Sequence, residues 1–247
     1  MNHKNLLRAL GRYKSFLIST HVNPDIDALA SEIALAKFLK SLKKKVVIVN
    51  GDHVPAMYRF LPGISQVKAY SRAYQDFEAA VILDCGDLDR IKKIRKLIKD
   101  TTIIINIDHH ITNDHFGTLN LVDVKASSTA EVIFNLLKEA RYSLSKTTAM
   151  LLYLGIMTDT GSFRYENTTA HTFGVASELM KFRLPVNVFY RKIYETVPWS
   201  DLKAIIKIIQ SAEMTLDGRC AMVTLSQRDI KTFSGQFDLR EIGRAHV

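Results

Sequence analysis

Four short apolar runs most constrain what this chain can fold into: Phe16 to Thr20, Val46 to Asn50, Ala79 to Leu83 and Thr102 to Ile107. They are too short for helices and too continuously apolar to have one wet face, which is the pattern of strands buried on both sides. Stretches with helical spacing lie around them: one up to Tyr13, one from Ile26 to Leu42, and a basic one from Asp89 to Ile98. Helix and strand alternating over short connections predict an α/β fold, a mainly parallel sheet flanked by helices. A further extended piece is expected near Val67 to Tyr70, after a loop holding Pro55, Pro62 and Gly63.

Residues 128–181 read as helix-rich: Thr129 to Arg141, Ser145 to Thr158 and Thr169 to Phe182. The polar turn Thr158-Asp-Thr-Gly-Ser-Phe-Arg-Tyr165 separates the last two. The pattern changes near Leu184-Pro185. A short helical stretch, Val188 to Glu195, runs into Val197-Pro-Trp199, then a helix, Asp201 to Gln210. A hairpin should follow, with strands Ala212 to Leu216 and Cys220 to Leu225 joined by Asp217-Gly218, and then an element from Ser226 to Phe233. The expected division is one domain over residues 1–186, and a linker with the start of a second α/β domain over 187–247.

Composition narrows the function classes. No run of about eighteen uncharged apolar residues occurs, and Met1-Asn-His-Lys-Asn5 lacks the apolar core of a secretion signal, so the expectation is a soluble, cytoplasmic protein without a membrane partner. Cys85 and Cys220 match no metal-knuckle spacing and are expected to be reduced and structural. A formal charge of +9 favours polyanionic partners such as phosphates, nucleotides or nucleic acid. The basic series Lys43-Lys-Lys45 and Lys92, Lys93, Arg95, Lys96, Lys99 falls on predicted helix ends or exposed faces, as a solvated surface would. No Gly-x-Gly-x-x-Gly or Gly-x-x-x-x-Gly-Lys-Ser/Thr follows any strand, which removes the main support for dinucleotide and P-loop readings.

Polar clusters stand where the strands end. His21-Val-Asn-Pro-Asp-Ile-Asp27 follows the first strand, Asp84-Cys-Gly-Asp87 the third, and Asp108-His-His110 the fourth, while a helix delivers Thr158-Asp159-Thr-Gly161. Each has a purely structural reading. Asn23, Pro24 and Asp25 could form a turn with Asp27 capping the helix, Asp84 could be a turn residue, Asp108 a cap, and His110 a buried hydrogen-bonding partner. In a parallel sheet, however, strand C-terminal ends share one edge, and carboxylates gathered there repel one another without a counter-charge. A pair of divalent metals about 3.5–4 Å apart supplies that charge and activates water for phosphoryl displacement. Mixed imidazole and carboxylate ligation suits manganese best.

Taken in order, His21-x-Asn-Pro-Asp25-x-Asp27, Asp84, Asp108-His-His110 and Thr158-Asp-Thr-Gly161 resemble the four motifs of the DHH phosphoesterases, over roughly residues 10–185. The wording from Gly155 to Phe163, followed by Asn167-Thr-Thr169, is most similar to the branch of nanoRNases and pAp phosphatases. That resemblance implies a manganese-dependent enzyme that trims short oligoribonucleotides to mononucleotides or converts 3′-phosphoadenosine 5′-phosphate (pAp) to AMP. It implies His21 and Asp25 on one metal, Asp27, His109 and Asp159 on the other, and Asp84 bridging both. It would set His110 at the substrate phosphate and Asp108 behind the histidines, with Arg164 a candidate phosphate contact by position. It also implies a homodimer formed through the helical part after Ser128. Members of that branch carry a second domain with a Gly-Gly-Gly-His motif; none occurs in this sequence, so the closing domain is expected to be truncated. The alternatives are a cyclic dinucleotide phosphodiesterase, an inorganic pyrophosphatase of the same superfamily, or a nucleotide-binding module without turnover.

Overall fold

All four apolar runs form strands, and in a computed structural model that describes residues 1–74, 77–196, 199–224 and 226 they lie side by side in one sheet. Two units can be distinguished, Met1–Leu184 and Pro185–Val247. The first runs α1 (His3–Arg12), β1 (Ser15–Thr20), α2 (Ile26–Ser41), β2 (Lys45–Asn50), β3 (Val67–Ala69), β4 (Ala79–Leu83), β5 (Ile103–Asp108), β6 (Leu119–Val122), α3 (Thr129–Glu139), α4 (Lys146–Asp159) and α5 (Ala170–Met180). The six strands stand in the order β3-β2-β1-β4-β5-β6, and every neighbouring pair is parallel. From β1 the chain moves outward through β2 and β3, then returns to lay β4 on the other side. The order therefore reverses between β1 and β4, and the crevice outside the strand ends at such a reversal is where open α/β sheets bind ligands. Strand β6 has no counterpart among the expected elements, because Leu-Asn-Leu-Val is too short and too mixed in polarity to show a period.

One face of the sheet carries α2, whose residues are buried almost all round from Ile26 to Leu39. It packs on α3 and α4. The other face is covered differently. Leu17 of β1, Val49 of β2 and Ala80 and Ile82 of β4 meet Ile91, Ile94 and Leu97. The helix expected from Asp89 to Ile98 is present as 3-10 turns over Leu88–Leu97, two short pieces joined at a kink at Lys92 (φ 39°, ψ −106°). Its apolar residues recur every third position, and a 3-10 helix stacks i and i+3 directly along one edge. Burying each of the three is worth about 1.5–3 kcal/mol, which offsets the poorer hydrogen-bond geometry.

In the second unit, α6 (Val186–Tyr190) runs into a π-helical turn, Arg191–Glu195. Helix α7 (Trp199–Gln210) precedes an antiparallel hairpin of β7 (Glu213–Thr215) and β8 (Cys220–Met222). Asp217 and Gly218 both take positive φ in its turn, as that dipeptide predicts. Val197, Pro198 and Leu225, and the expected element beyond Ser226, lie outside the described residues. No helix among the described residues is long and apolar enough to cross a membrane.

Candidate metal centre

Three adjacent strands end at one level. Thr20 pairs with Leu83, and Leu83 with Ile107, so the residues that follow them, His21, Asp84 and Asp108, stand in a row at strand spacing, about 4.8 Å apart. After β1 the backbone turns at Asn23 (φ 54°), whose N–H donates to Asp52 Oδ2 at 2.9 Å. Asp25 then caps α2, its Oδ1 accepting from the Ala28 N–H at 3.0 Å. The cap is Asp25 and not Asp27, because Asp27 already lies inside the first turn.

Asp27 is 2% exposed and faces inward. Both of its oxygens accept backbone N–H groups from the start of α3, Thr129 at 2.8 Å and Ala130 at 2.9 Å. A helix N-terminus favours an anion there. Helix α4 comes close at Gly155, where a Cβ would lie 2.5 Å from Asp27 Oδ1 and 2.6 Å from the Ala130 Cβ. Four residues on, about one turn, α4 ends at Asp159. Asp84 takes a positive φ of 53°, which aspartate tolerates better than most residues, and its Oδ1 accepts from the Thr129 hydroxyl at 2.9 Å.

The histidines complete the cluster. His21 donates from Nδ1 to the Val22 carbonyl at 2.7 Å, which turns Nε2 toward Asp84 Oδ2, 3.5 Å away. His109 Nε2 lies 3.2 Å from Asp159 Oδ2 and 3.6 Å from Asp84 Oδ1, yet it is buried without a hydrogen-bond partner. His110 Nδ1 is 2.7 Å from Asp108 Oδ1, and Asp108 Oδ2 accepts from Asn113 Nδ2 at 2.6 Å. Asp108 thus orients His110 directly, with Asn113 behind it.

Three sets of these residues offer ligand atoms within 4.8 Å of one another: His21, Asp25 and Asp84; Asp27, His109 and Asp159; and Asp84, Asp108, His109 and His110. Asp84 belongs to two of them. Every predicted metal residue therefore enters the cluster. Arg164 does not: it is exposed, and its Nε donates to the Gly161 carbonyl at 2.8 Å.

Charge in this space is unbalanced. Burial, with repulsion from Asp84, Asp159 and Asp25 added, raises the Asp27 carboxyl well above the usual range. Burial also pushes Asp84 upward, but the His21 hydrogen bond and the nearby imidazoles outweigh it and hold Asp84 down at about 2. The Asp108 hydrogen bond lifts His110 to about 9, and burial lowers His109. A cation among the carboxylates relieves this repulsion, and the orphaned His109 Nε2 is aimed where such an ion would sit. The mixed imidazole and carboxylate donors fit a divalent first-row metal.

Several supporting residues gave no usable sequence signal. Ser128 caps α3 through the Glu131 N–H at 3.1 Å, and Ser-x-x-Glu marks a helix start, but the pattern does not say which carboxylate that start receives. Glu32, fully buried, accepts from Asn50 Nδ2 at 2.9 Å, and burial pushes its carboxyl up to about 8.

The profile of the DHH family, N-terminal domain, matches residues 15–156. A Streptococcus mutans protein named "Probable bifunctional oligoribonuclease and PAP phosphatase NrnA" is 34% identical over 234 residues, which are 94% of this chain and 72% of that protein. The "Bifunctional oligoribonuclease and PAP phosphatase NrnA" of Bacillus subtilis is 30% identical over 195 residues, 77% of this chain and 60% of that one. Among solved structures, an exopolyphosphatase-related protein from Bacteroides fragilis superimposes with a TM-score of 0.85 at 26% identity, covering 95% of this chain and 73% of the other.

Proposed function

The chain belongs to the DHH family, and on that premise we propose that it is a manganese-dependent phosphoesterase that hydrolyses short oligoribonucleotides to mononucleotides, pAp to AMP, or both. The relatives' names support the substrate class. The observation that carries the reading is that Asp84, which forms one ligand set with His21 and Asp25, also lies 3.6 Å through Oδ1 from His109 Nε2 of the separate set with Asp27 and Asp159. His21 and Asp25 would hold one ion, Asp27, His109 and Asp159 a second, and Asp84 both. When bound, two divalent cations lower the pKa of a water and neutralise phosphoryl charge.

The chain's own groups do the rest. His21 presents Nε2 because its Nδ1 is tied to the Val22 carbonyl. Thr129 and Ala130 aim Asp27 and Asp84 into the cleft. His110 keeps a proton because Asp108 grips Nδ1, so its Nε2–H can donate to a phosphoryl or leaving oxygen.

The test is a panel of pAp, di- to pentanucleotides, cyclic dinucleotides and pyrophosphate, incubated with purified protein and manganese. Release of phosphate or mononucleotide from pAp or short RNA, lost in Asp84→Ala, is the expected result. Turnover confined to pyrophosphate or cyclic dinucleotides, or tight binding with no turnover, would reject it.

A further inference from the structure

The 3-10 segment Leu88–Leu97 has an outer side that the metal centre does not use. Ile91, Ile94 and Leu97 face the sheet at 1%, 0% and 2% exposure. Arg90, Lys92, Lys93, Arg95 and Lys96 are exposed, and among the described residues none of the five has an ion pair with a carboxylate. A solvated surface usually interleaves the two signs. Here the one carboxylate within Leu88–Leu97 is Asp89, which precedes all five cations.

The position of the segment matters as much as its charge. It begins four residues after Asp84, and Asp87 caps it through the Arg90 N–H at 3.0 Å. The Arg90 carbonyl accepts from the Val22 N–H at 2.8 Å, so it is bonded to the residue next to His21. From that end the segment crosses the face of β1, β2 and β4. Its far end leads through Lys99 to the start of β5 at the opposite edge of the sheet. There Arg12, Lys99, Thr101 and Thr102 line a cavity of about 710 Å³ together with Glu78. The cationic ridge therefore runs from the strand C-terminal ends toward the opposite edge of the sheet, with one end fixed to two loops of the cluster.

We propose that this ridge, Arg90 to Lys96, binds the phosphodiester backbone of a single-stranded oligonucleotide whose terminal phosphate lies at the carboxylate–histidine cluster. The proposal rests on the phosphoesterase reading for the identity of that end. A carboxylate-rich centre repels a polyanion, and a cationic flank beside it raises the local substrate concentration. The segment Leu88–Leu97 itself contains no aromatic residue, so its cations engage phosphates and it offers no stacking platform of its own. Dinucleotides and pAp are too short to reach along the ridge; longer strands reach it.

The experiment compares wild type with Lys93→Glu/Lys96→Glu and with the neutral Lys93→Gln/Lys96→Gln. Binding of fluorescein-labelled di-, tetra- and octanucleotides is read by anisotropy in EDTA over a salt series, and kcat/KM is measured with manganese on pAp and the octanucleotide. Unchanged thermal midpoints establish folding, and the neutral pair keeps the test open if the charge reversal unfolds. The expected result is a loss of about tenfold or more in octanucleotide affinity, and a salt slope shallower by about 0.7 for each phosphate that the variant no longer neutralises. Dinucleotide binding and pAp turnover should not change. Equal losses at every length, an unchanged octanucleotide slope, or equal competition by polyglutamate of matched charge would overturn the proposal. If wild type hydrolyses nothing while the length-dependent binding persists, the phosphoesterase reading fails and the ridge stands.

Discussion

Asp25 and Asp27 lie two residues apart on one turn, yet they are held in different ways. Asp25 belongs to a half built mainly locally: His21 is tied to Val22 and Asp25 to Ala28. Only the bend between them borrows distant partners, Asp52 on the Asn23 N–H and the Arg90 carbonyl on the Val22 N–H. Asp27 belongs to a half built by tertiary packing. Its oxygens are bonded by Thr129 and Ala130, more than a hundred residues away, and Gly155 of α4 lies against it. Its companion His109 comes from the end of β5, and Asp159 from the end of α4. The local half needs a correct turn, whereas the packed half needs three helices at the right distance. Asp84 joins them, and Thr129, which bonds both Asp27 and Asp84, is where the two supports meet.

Substitutions can break the halves separately. Gly155→Ala should do the most, because its Cβ would meet Asp27 and Ala130 at 2.5 and 2.6 Å. We predict destabilisation by about 1–3 kcal/mol, read by chemical denaturation, and loss of one of two metal-binding steps in calorimetry. Retention of both steps would show that the packed half tolerates displacement. Asp25→Asn should touch only the local half. Asparagine caps helices as well as aspartate does, so stability should hold while one ion weakens by about a hundredfold, at the upper end of what supporting residues cost. If stability fell instead, Asp25 would be mainly a cap.

Thr129→Val keeps the backbone N–H to Asp27 and removes only the hydroxyl bond to Asp84. Hydrogen bonds to charged groups are worth about 1.5–3 kcal/mol, so metal affinity should fall by roughly tenfold, measurable by competition with a chelating dye. The smallest effect on metal binding is expected from Glu32→Gln. Burial raises the Glu32 carboxyl to about 8 from its ordinary value of 4.5, so the folded chain holds a proton there that the unfolded chain releases. Between those values the folded state binds more protons, and stability falls as pH rises. Metal-free Glu32→Gln should therefore lose less stability than wild type between pH 5 and 8 in urea melts. Parallel curves would mean that Glu32 ionises normally.

The difference between the halves also explains what is legible in the sequence. The local half is contiguous, from His21 to Asp27, and reads as one motif at a strand-to-helix turn. The strand-end rule adds Asp84 and Asp108 to His110, since parallel strands bring their C-terminal ends to one edge. What packs behind them leaves no trace: Thr129 and Asn113 are common polar residues whose partners are set by tertiary approach. The 3-10 segment escapes sequence reading for a related reason. Apolar residues at every third position fit one edge of either helix type, and packing against β1, β2 and β4 decides between them.

The most direct test of a shared two-ion centre is the number of ions bound. Calorimetric titration of manganese into the metal-free chain, with elemental analysis of the dialysed product, should give two ions per wild-type chain. In Asp84→Ala both binding steps should weaken together. A single ion in wild type, or loss of only one step in Asp84→Ala, would contradict a bridging role for Asp84.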